Sequence, residues 1–139
     1  MRNLFSINPM KKNPTQFYFW LFISAFTVSF ILFTLPGDEL PSANWLNIPH
    51  LDKLVHTCIF VTLCYTYFLF IIAWKKPKKP GLTAVIIAML LLLYGVGIEF
   101  IQEAFVVHRS FELADIVADG SGCLIFLTGY FITANKQFD

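Results

Sequence analysis

The run from Phe17 to Leu35 carries no charged residue. Three more long apolar runs follow, at about Leu54 to Trp74, Leu82 to Val106 and Ala114 to Phe131. This recurrence constrains the fold more than any other feature. About 20 helical residues span the ~30 Å hydrocarbon core of a bilayer, so each run has the length of a crossing. The expectation is an all-α protein, a four-helix transmembrane bundle. Residues 1–16 form a tail, 17–132 the membrane domain and 133–139 a second tail. Composition agrees: the chain is 57% hydrophobic and 14% charged, against ~25% charged in ordinary soluble domains. The first run exceeds the roughly 7–15 apolar residues of a cleaved signal peptide, so an uncleaved span is expected.

The segments between the runs set the orientation. Pro36-Gly-Asp-Glu-Leu-Pro breaks the chain after the first run, and Trp74-Lys-Lys-Pro-Lys-Lys-Pro-Gly breaks it after the second. Arg2, Lys11, Lys12, Lys75, Lys76, Lys78, Lys79 and Lys136 fall on one side. Lys53 and Arg109 share the other with Asp38, Glu39, Asp52, Glu99, Glu103, Glu112, Asp115 and Asp119. Positively charged loops stay in the cytoplasm, so both termini and the lysine turn are expected there. The lysines also suit anionic lipid headgroups.

Between the third and fourth runs lies Gly97 to Asp119, rich in ionisable groups where apolar residues would be expected. Charges within or beside a span cost several kcal/mol unless paired or hydrated, which makes them a functional-site hypothesis. Residues three and four apart share a helix side. Gly95, Glu99, Gln102 and Glu103 therefore form one stripe, Asp115 and Asp119 a second, and Asp52 and His56 a third with Lys53 beside it. All three stripes start at the same membrane face. Arg109 and Lys53, the outer cations, are the expected carboxylate partners, with the Arg109 fork suited to a carboxylate or phosphate. Structural roles compete for each residue. Asp52 and Ser110 have the chemistry of helix caps, and Glu112 and Asp115 suit a positive helix end. Glu99 and Asp119 lie too deep for capping, which leaves a buried ion pair or hydrogen bond. His56 is equally a satisfied core histidine, Gln102 an interhelical hydrogen-bonder and His108 a solvated loop residue. Ala114, Ala118 and Gly122 suit close helix packing. Cys58, Cys64 and Cys123 all lie in apolar runs without C-x-x-C spacing and are expected to be buried structural thiols.

Asp52-Lys53-x-x-His56, Glu99-Phe-x-Gln102 and Arg109-x-x-x-x-x-Asp115-x-x-Ala118-Asp119-x-x-Gly122 together resemble the VanZ-like family of small bacterial membrane proteins. The likeness runs from about Asp52 to Gly129 and leaves the first span outside it. The family usually has Asn where this chain has Asp119. The resemblance implies a four-span bundle in a bacterial inner (cytoplasmic) membrane, in a cell-envelope context. Its founding member is associated with low-level resistance to the glycopeptide teicoplanin.

Three functions compete. The first is a non-enzymatic envelope factor, with an outward-facing polar pocket for a polar headgroup or a lipid-linked cell-wall precursor. The pocket is formed by Asp52, Lys53, His56, Glu99, Gln102, Glu103, Arg109, Asp115 and Asp119. The second is a membrane-embedded hydrolase or transferase using Glu99, His56 or Asp115, with a divalent metal among carboxylates and His56 as one form of it. No H-E-x-x-H, nucleophile elbow or phosphate loop accompanies these residues. The third is an ion path through Glu99, Glu103 and Asp119, for which the cytoplasmic halves offer only hydroxyls, cysteines and Tyr94. The expectation is the first, with the bilayer as partner and with no resident cofactor, no metal and no nucleic acid.

Overall fold

A computed structural model describes residues 13–36 and 51–135. Among the described residues there are four α-helices: α1 (Pro14–Thr34), α2 (Leu51–Lys75), α3 (Pro80–Phe105) and α4 (Leu113–Asn135). Each is long and apolar enough to cross a membrane. A helix satisfies its backbone N–H and C=O groups internally, which is what a segment in hydrocarbon requires. The charges outside the described residues are Arg2, Lys11, Lys12, Asp38, Glu39, Lys136 and Asp139.

Local chemistry sets the helix starts. Asn13 Oδ1 accepts from the Thr15 N–H at 3.2 Å, and Pro14 follows in the first turn. Pro80 opens α3 in the same way. Proline suits this position because its missing N–H would have no helical partner there. Asp52 lies inside the first turn of α2, one residue past its start. It therefore sits beside the positive helix end rather than serving as the cap considered from sequence.

α2 is the central helix and packs against α1, α3 and α4. Phe60, Leu63, Cys64 and Phe126 are fully enclosed where α2 meets α4. Two glycines permit the close approach. A Cβ on Gly122 would meet the Thr57 carbonyl oxygen of α2 at 2.6 Å and Phe60 Cβ at 2.8 Å. A Cβ on Gly95 would run into the Asp119 carboxylate and the Phe60 ring. Thr57 Oγ1 also donates to the Ala118 carbonyl at 3.1 Å, tying α2 to α4.

The outer surface is apolar. Trp20, Leu93, Phe105 and Leu124 are each more than 60% exposed. A water-facing surface of this kind would be an aggregation liability, whereas hydrocarbon is a suitable solvent for it. Cys64 and Cys123 are buried, with their sulfurs 3.8 Å apart, but Cys58 is exposed. The expectation of three buried thiols thus fails at Cys58, because apolar sequence alone does not separate lipid-facing from core positions.

Lys76 to Lys79 form the α2–α3 turn, with Lys76 in the left-handed region at φ 45° and the ammonium of Lys75, the last residue of α2, 3.8 Å over the Trp74 ring. Thr15 Oγ1 donates to Ala73 O at 3.2 Å, placing the start of α1 beside the end of α2. The lysine turn and the polar stretch are consequently at opposite ends of the bundle.

Candidate functional site

The end of the bundle away from the lysines gathers the start of α2, the end of α3 and the start of α4. Glu99 lies six residues before the end of α3, about 9 Å down the helix axis. Its relative exposure is 0%, that of Asp119 1%, and those of His56 and Asp115 4% each. A buried polar group carries a desolvation cost unless it has a partner, so each contact is informative.

His56 and Asp119 form the deepest pair. Nδ1 of His56 lies 2.9 Å from Asp119 Oδ1. With Asp119 ionised and the imidazole neutral, Nδ1 carries the proton and Nε2 the lone pair. Nε2 lies 3.9 Å from Asp115 Oδ2, beyond hydrogen-bond length. Phe33 covers the imidazole with ring centroids 4.5 Å apart.

Lys53 forms the upper layer. Its ammonium lies 2.7 Å from Asp115 Oδ1 and 2.7 Å from Asp52 Oδ2, and it also pairs with Glu112 Oε2. The Asp115 contact is close but off the hydrogen-bonding direction. Asp52 and Glu112 are half-exposed at their side chains, whereas Asp115 is buried. Pairs at an exposed rim contribute little, ~0–1 kcal/mol. The Lys53–Asp115 contact, shielded from solvent on the carboxylate side, carries more.

Glu99 is half-satisfied. Its Oε2 accepts from the Glu112 N–H at 2.8 Å, fastening the α3–α4 loop over the cluster. Its Oε1 is buried and has no hydrogen-bond partner among the described residues. One ligand atom each from His56, Glu99 and Asp115 lies within 4.8 Å of the others. Asp52, Glu112 and Asp115 make a second set of this kind.

The expected pocket residues therefore separate. Asp52, Lys53, His56, Glu99, Asp115 and Asp119 come together. Gln102 is buried but points elsewhere: its Nε2 donates to Phe33 O at 2.8 Å, satisfying a carbonyl in the last turn of α1. This matches the interhelical role considered for it. Glu103 is exposed and stands apart from the buried stripe. Arg109 forms no ion pair with these carboxylates among the described residues, so the cation that serves them is Lys53. The Arg109 Nε is buried and lacks an acceptor among the described residues. His108 is exposed and left-handed at φ 58°, which turns the chain between α3 and α4.

Sequence spacing missed one layer. Tyr94 and Ser29 lie beneath the cluster, with the Tyr94 and Ser29 hydroxyls 3.2 Å apart and Ser29 donating to Phe26 O at 2.8 Å. Since Ser29 has committed its proton to Phe26, Tyr94 is the donor between the two. A serine near the middle of an apolar run was the available signal. A groove of about 200 Å³ lies between α1 and α2 and is lined by Ala25, Val28, Ser29, Cys58, Ile59, Thr62 and Leu63. It does not include the charged cluster.

Comparison with known proteins gives a narrow result. No family model matches the chain. No solved structure matches it either. Over 98 residues, 70% of this chain, it is 31% identical to the uncharacterized protein C11E3.10 of the yeast Schizosaccharomyces pombe. The aligned part covers 57% of that protein, so the chain spans little more than half the length of the curated relative it matches.

Proposed function

We propose that this chain is a multi-pass membrane protein of VanZ-like type, with both termini and the lysine turn in the cytoplasm, that binds the polar headgroup of a lipid or lipid-linked ligand at the opposite face. In this reading it is a binding factor rather than an enzyme. The observation that carries it is Arg109. Its Nε is buried without an acceptor among the described residues, on the loop that Glu99 fastens through Glu112. A guanidinium is the side chain best matched to a phosphate or carboxylate. Lys53 is already shared by three carboxylates, which leaves Arg109 as the donor for an anionic group.

The VanZ-like resemblance implies a bacterial inner membrane and a role in the cell envelope. The similarity to a yeast protein favours a headgroup common to membranes in general over a precursor special to bacterial walls. The test is lipid analysis of gently solubilised protein, wild type against Arg109→Ala. The expected result is a phosphate-bearing lipid that co-purifies with the wild type and falls several-fold in the variant. Equal lipid content in the two would defeat the proposal.

A second reading, an embedded hydrolase or transferase, draws on the His56–Asp119 pair. A histidine held at Nδ1 with Nε2 available has the arrangement of a general base. Turnover of lipid-linked phosphates in liposomes, abolished by His56→Ala and Glu99→Gln, would establish it. Absence of turnover in the wild type removes it.

A further inference from the structure

The two carboxylate sets at this end of the bundle differ in what fills them. Asp52, Glu112 and Asp115 already surround an ammonium, because Lys53 Nζ pairs with all three. Among the described residues, His56, Glu99 and Asp115 surround no ammonium of that kind. Their ligand atoms lie within 4.8 Å of one another, and all three residues are buried. Glu99 Oε1 has no hydrogen-bond partner among the described residues although the residue is fully enclosed. With the imidazole neutral and Nδ1 donating to Asp119, His56 Nε2 carries the lone pair. With Glu99 ionised and His56 neutral, three electron-pair donors thus lie within reach of one ion.

We propose that His56, Glu99 and Asp115 hold one first-row divalent cation, with Zn²⁺ the best match. One imidazole and two carboxylates form a donor set suited to such an ion, whereas Mg²⁺ and Ca²⁺ prefer oxygen alone. Ligands ~2.1 Å from a tetrahedral centre stand ~3.4 Å apart. The 3.9 Å between His56 Nε2 and Asp115 Oδ2 must contract by about 0.5 Å to match, and no pair in the set stands more than 4.8 Å apart. The surroundings also fit. Ligating histidines commonly pass their other N–H to a carboxylate, which fixes the ring and its tautomer, and Asp119 is so placed. Lys53 holds Asp115 Oδ1 and leaves Oδ2 facing the imidazole. The Glu112 N–H holds Glu99 Oε2 and leaves Oε1 to bind. Charge points the same way: Glu99, Asp115 and Asp119 bring three carboxylates inside, with Lys53 the one ammonium reaching them among the described residues.

This inference does not depend on Arg109 or on a headgroup. The experiment uses detergent-solubilised full-length protein carrying an affinity tag free of histidine. The protein is stripped with chelator, dialysed against Zn²⁺ or Co²⁺, and cleared of loose ions. The expected result is close to one metal per wild-type chain, with visible absorption bands from the Co²⁺ form. Glu99→Gln keeps an oxygen for the Glu112 N–H, and Asp115→Asn keeps the side-chain shape. Each is expected to weaken Zn²⁺ binding at least ~100-fold, since even residues behind the ligands cost 10–100-fold. Exposed Glu103→Gln should bind as wild type does. Less than about a tenth of an equivalent in the wild type would overturn the inference whatever the variants do, as would unchanged affinity in both Glu99→Gln and Asp115→Asn. Lipid content read on the same samples separates the two proposals. Metal-free protein that still carries its lipid overturns this one alone, and metal-loaded protein without lipid overturns only the other.

Discussion

Gly122→Ala places one methyl group against a part of α2 that cannot yield. The new Cβ would stand 2.6 Å from the Thr57 carbonyl oxygen, 2.8 Å from Phe60 Cβ and 3.2 Å from the Val61 backbone nitrogen. A flexible side chain could swing aside, but two of these atoms belong to the backbone of a helix. Ordinary contact begins near 3.4 Å, so α2 and α4 must separate by about 0.8 Å at this level. His56 is the residue before Thr57, and Asp119 lies nearly one turn before Gly122 on α4. Their 2.9 Å hydrogen bond would lengthen to roughly 3.7 Å if the helices moved as rigid bodies, past the limit for such a bond. Overpacking costs ~1–3 kcal/mol, and a buried polar group stripped of its partner costs ~1–3 kcal/mol more. The expected loss is therefore about 2–6 kcal/mol, a large share of the ~5–15 kcal/mol that holds a typical domain folded.

The assay is unfolding of the detergent-solubilised protein by heat or by titrated SDS, followed by circular dichroism. Gly97→Ala is the matched control, because a Cβ there meets nothing within 4 Å. It makes the same chemical change on a neighbouring helix and should leave stability unchanged or slightly higher, since alanine favours helix. Gly122→Ala as stable as Gly97→Ala would refute the close α2–α4 contact and, with it, the placement of His56 against Asp119.

Other perturbations separate the layers of the cluster. Lys53→Met removes the shared cation and should cost ~2–4 kcal/mol, chiefly by leaving buried Asp115 unpaired; Asp52→Asn, at the exposed rim, should cost under ~1 kcal/mol in the same unfolding assay. Gln102→Leu should cost ~1–3 kcal/mol because the Phe33 carbonyl loses its donor, and hydrogen exchange should rise first at the end of α1. Tyr94→Phe removes one hydroxyl contact to Ser29 and should cost ~0.5–1.5 kcal/mol. Single cysteines placed at Lys78 and His108, in a background without native cysteines, should react with a membrane-impermeant maleimide from opposite sides of sealed vesicles. Labelling from the same side would reject the four-span arrangement.

The helices were legible because their signal is long and redundant. Any window within Phe17–Leu35 or Leu82–Ile98 reports the same lack of charge, and Pro14, Pro80 and the lysine turn punctuate it. Helix ends were less legible: α4 runs on to Asn135, past the expected Phe131, because Ile132, Thr133 and Ala134 carry no breaker. Residues on one stripe were found by counting threes and fours. Counting gives the face of a helix and leaves open which way that face turns. Glu99 and Glu103 share a stripe, yet a rotation of α3 buries the first completely and exposes the second. Cys58 and Cys64 divide in the same manner across α2.

Pairing was illegible for a stronger reason. Arg109 and Lys53 are both cations near the same end, and charge alone ranks the arginine first. What decides between them is how their backbones are fixed. Lys53 stands on the first turn of α2, a helix that packs against all three others, so its ammonium has a set position among Asp52, Glu112 and Asp115. Arg109 stands in the loop between α3 and α4, with its backbone held by the Val106 carbonyl and its Nε turned to a place where no acceptor from the described residues waits. The acids thus receive one cation where their number calls for more, and the deficit falls on the innermost set. Glu99 Oε1 is left buried with no hydrogen-bond donor among the described residues. A buried carboxylate oxygen without a partner costs stability, and a cation bound there removes that cost. Bound Zn²⁺ should accordingly raise the unfolding temperature of the wild type and leave that of Glu99→Gln where it was. If the ion bound instead at exposed acids, such as Glu103, the increase would be the same in both proteins.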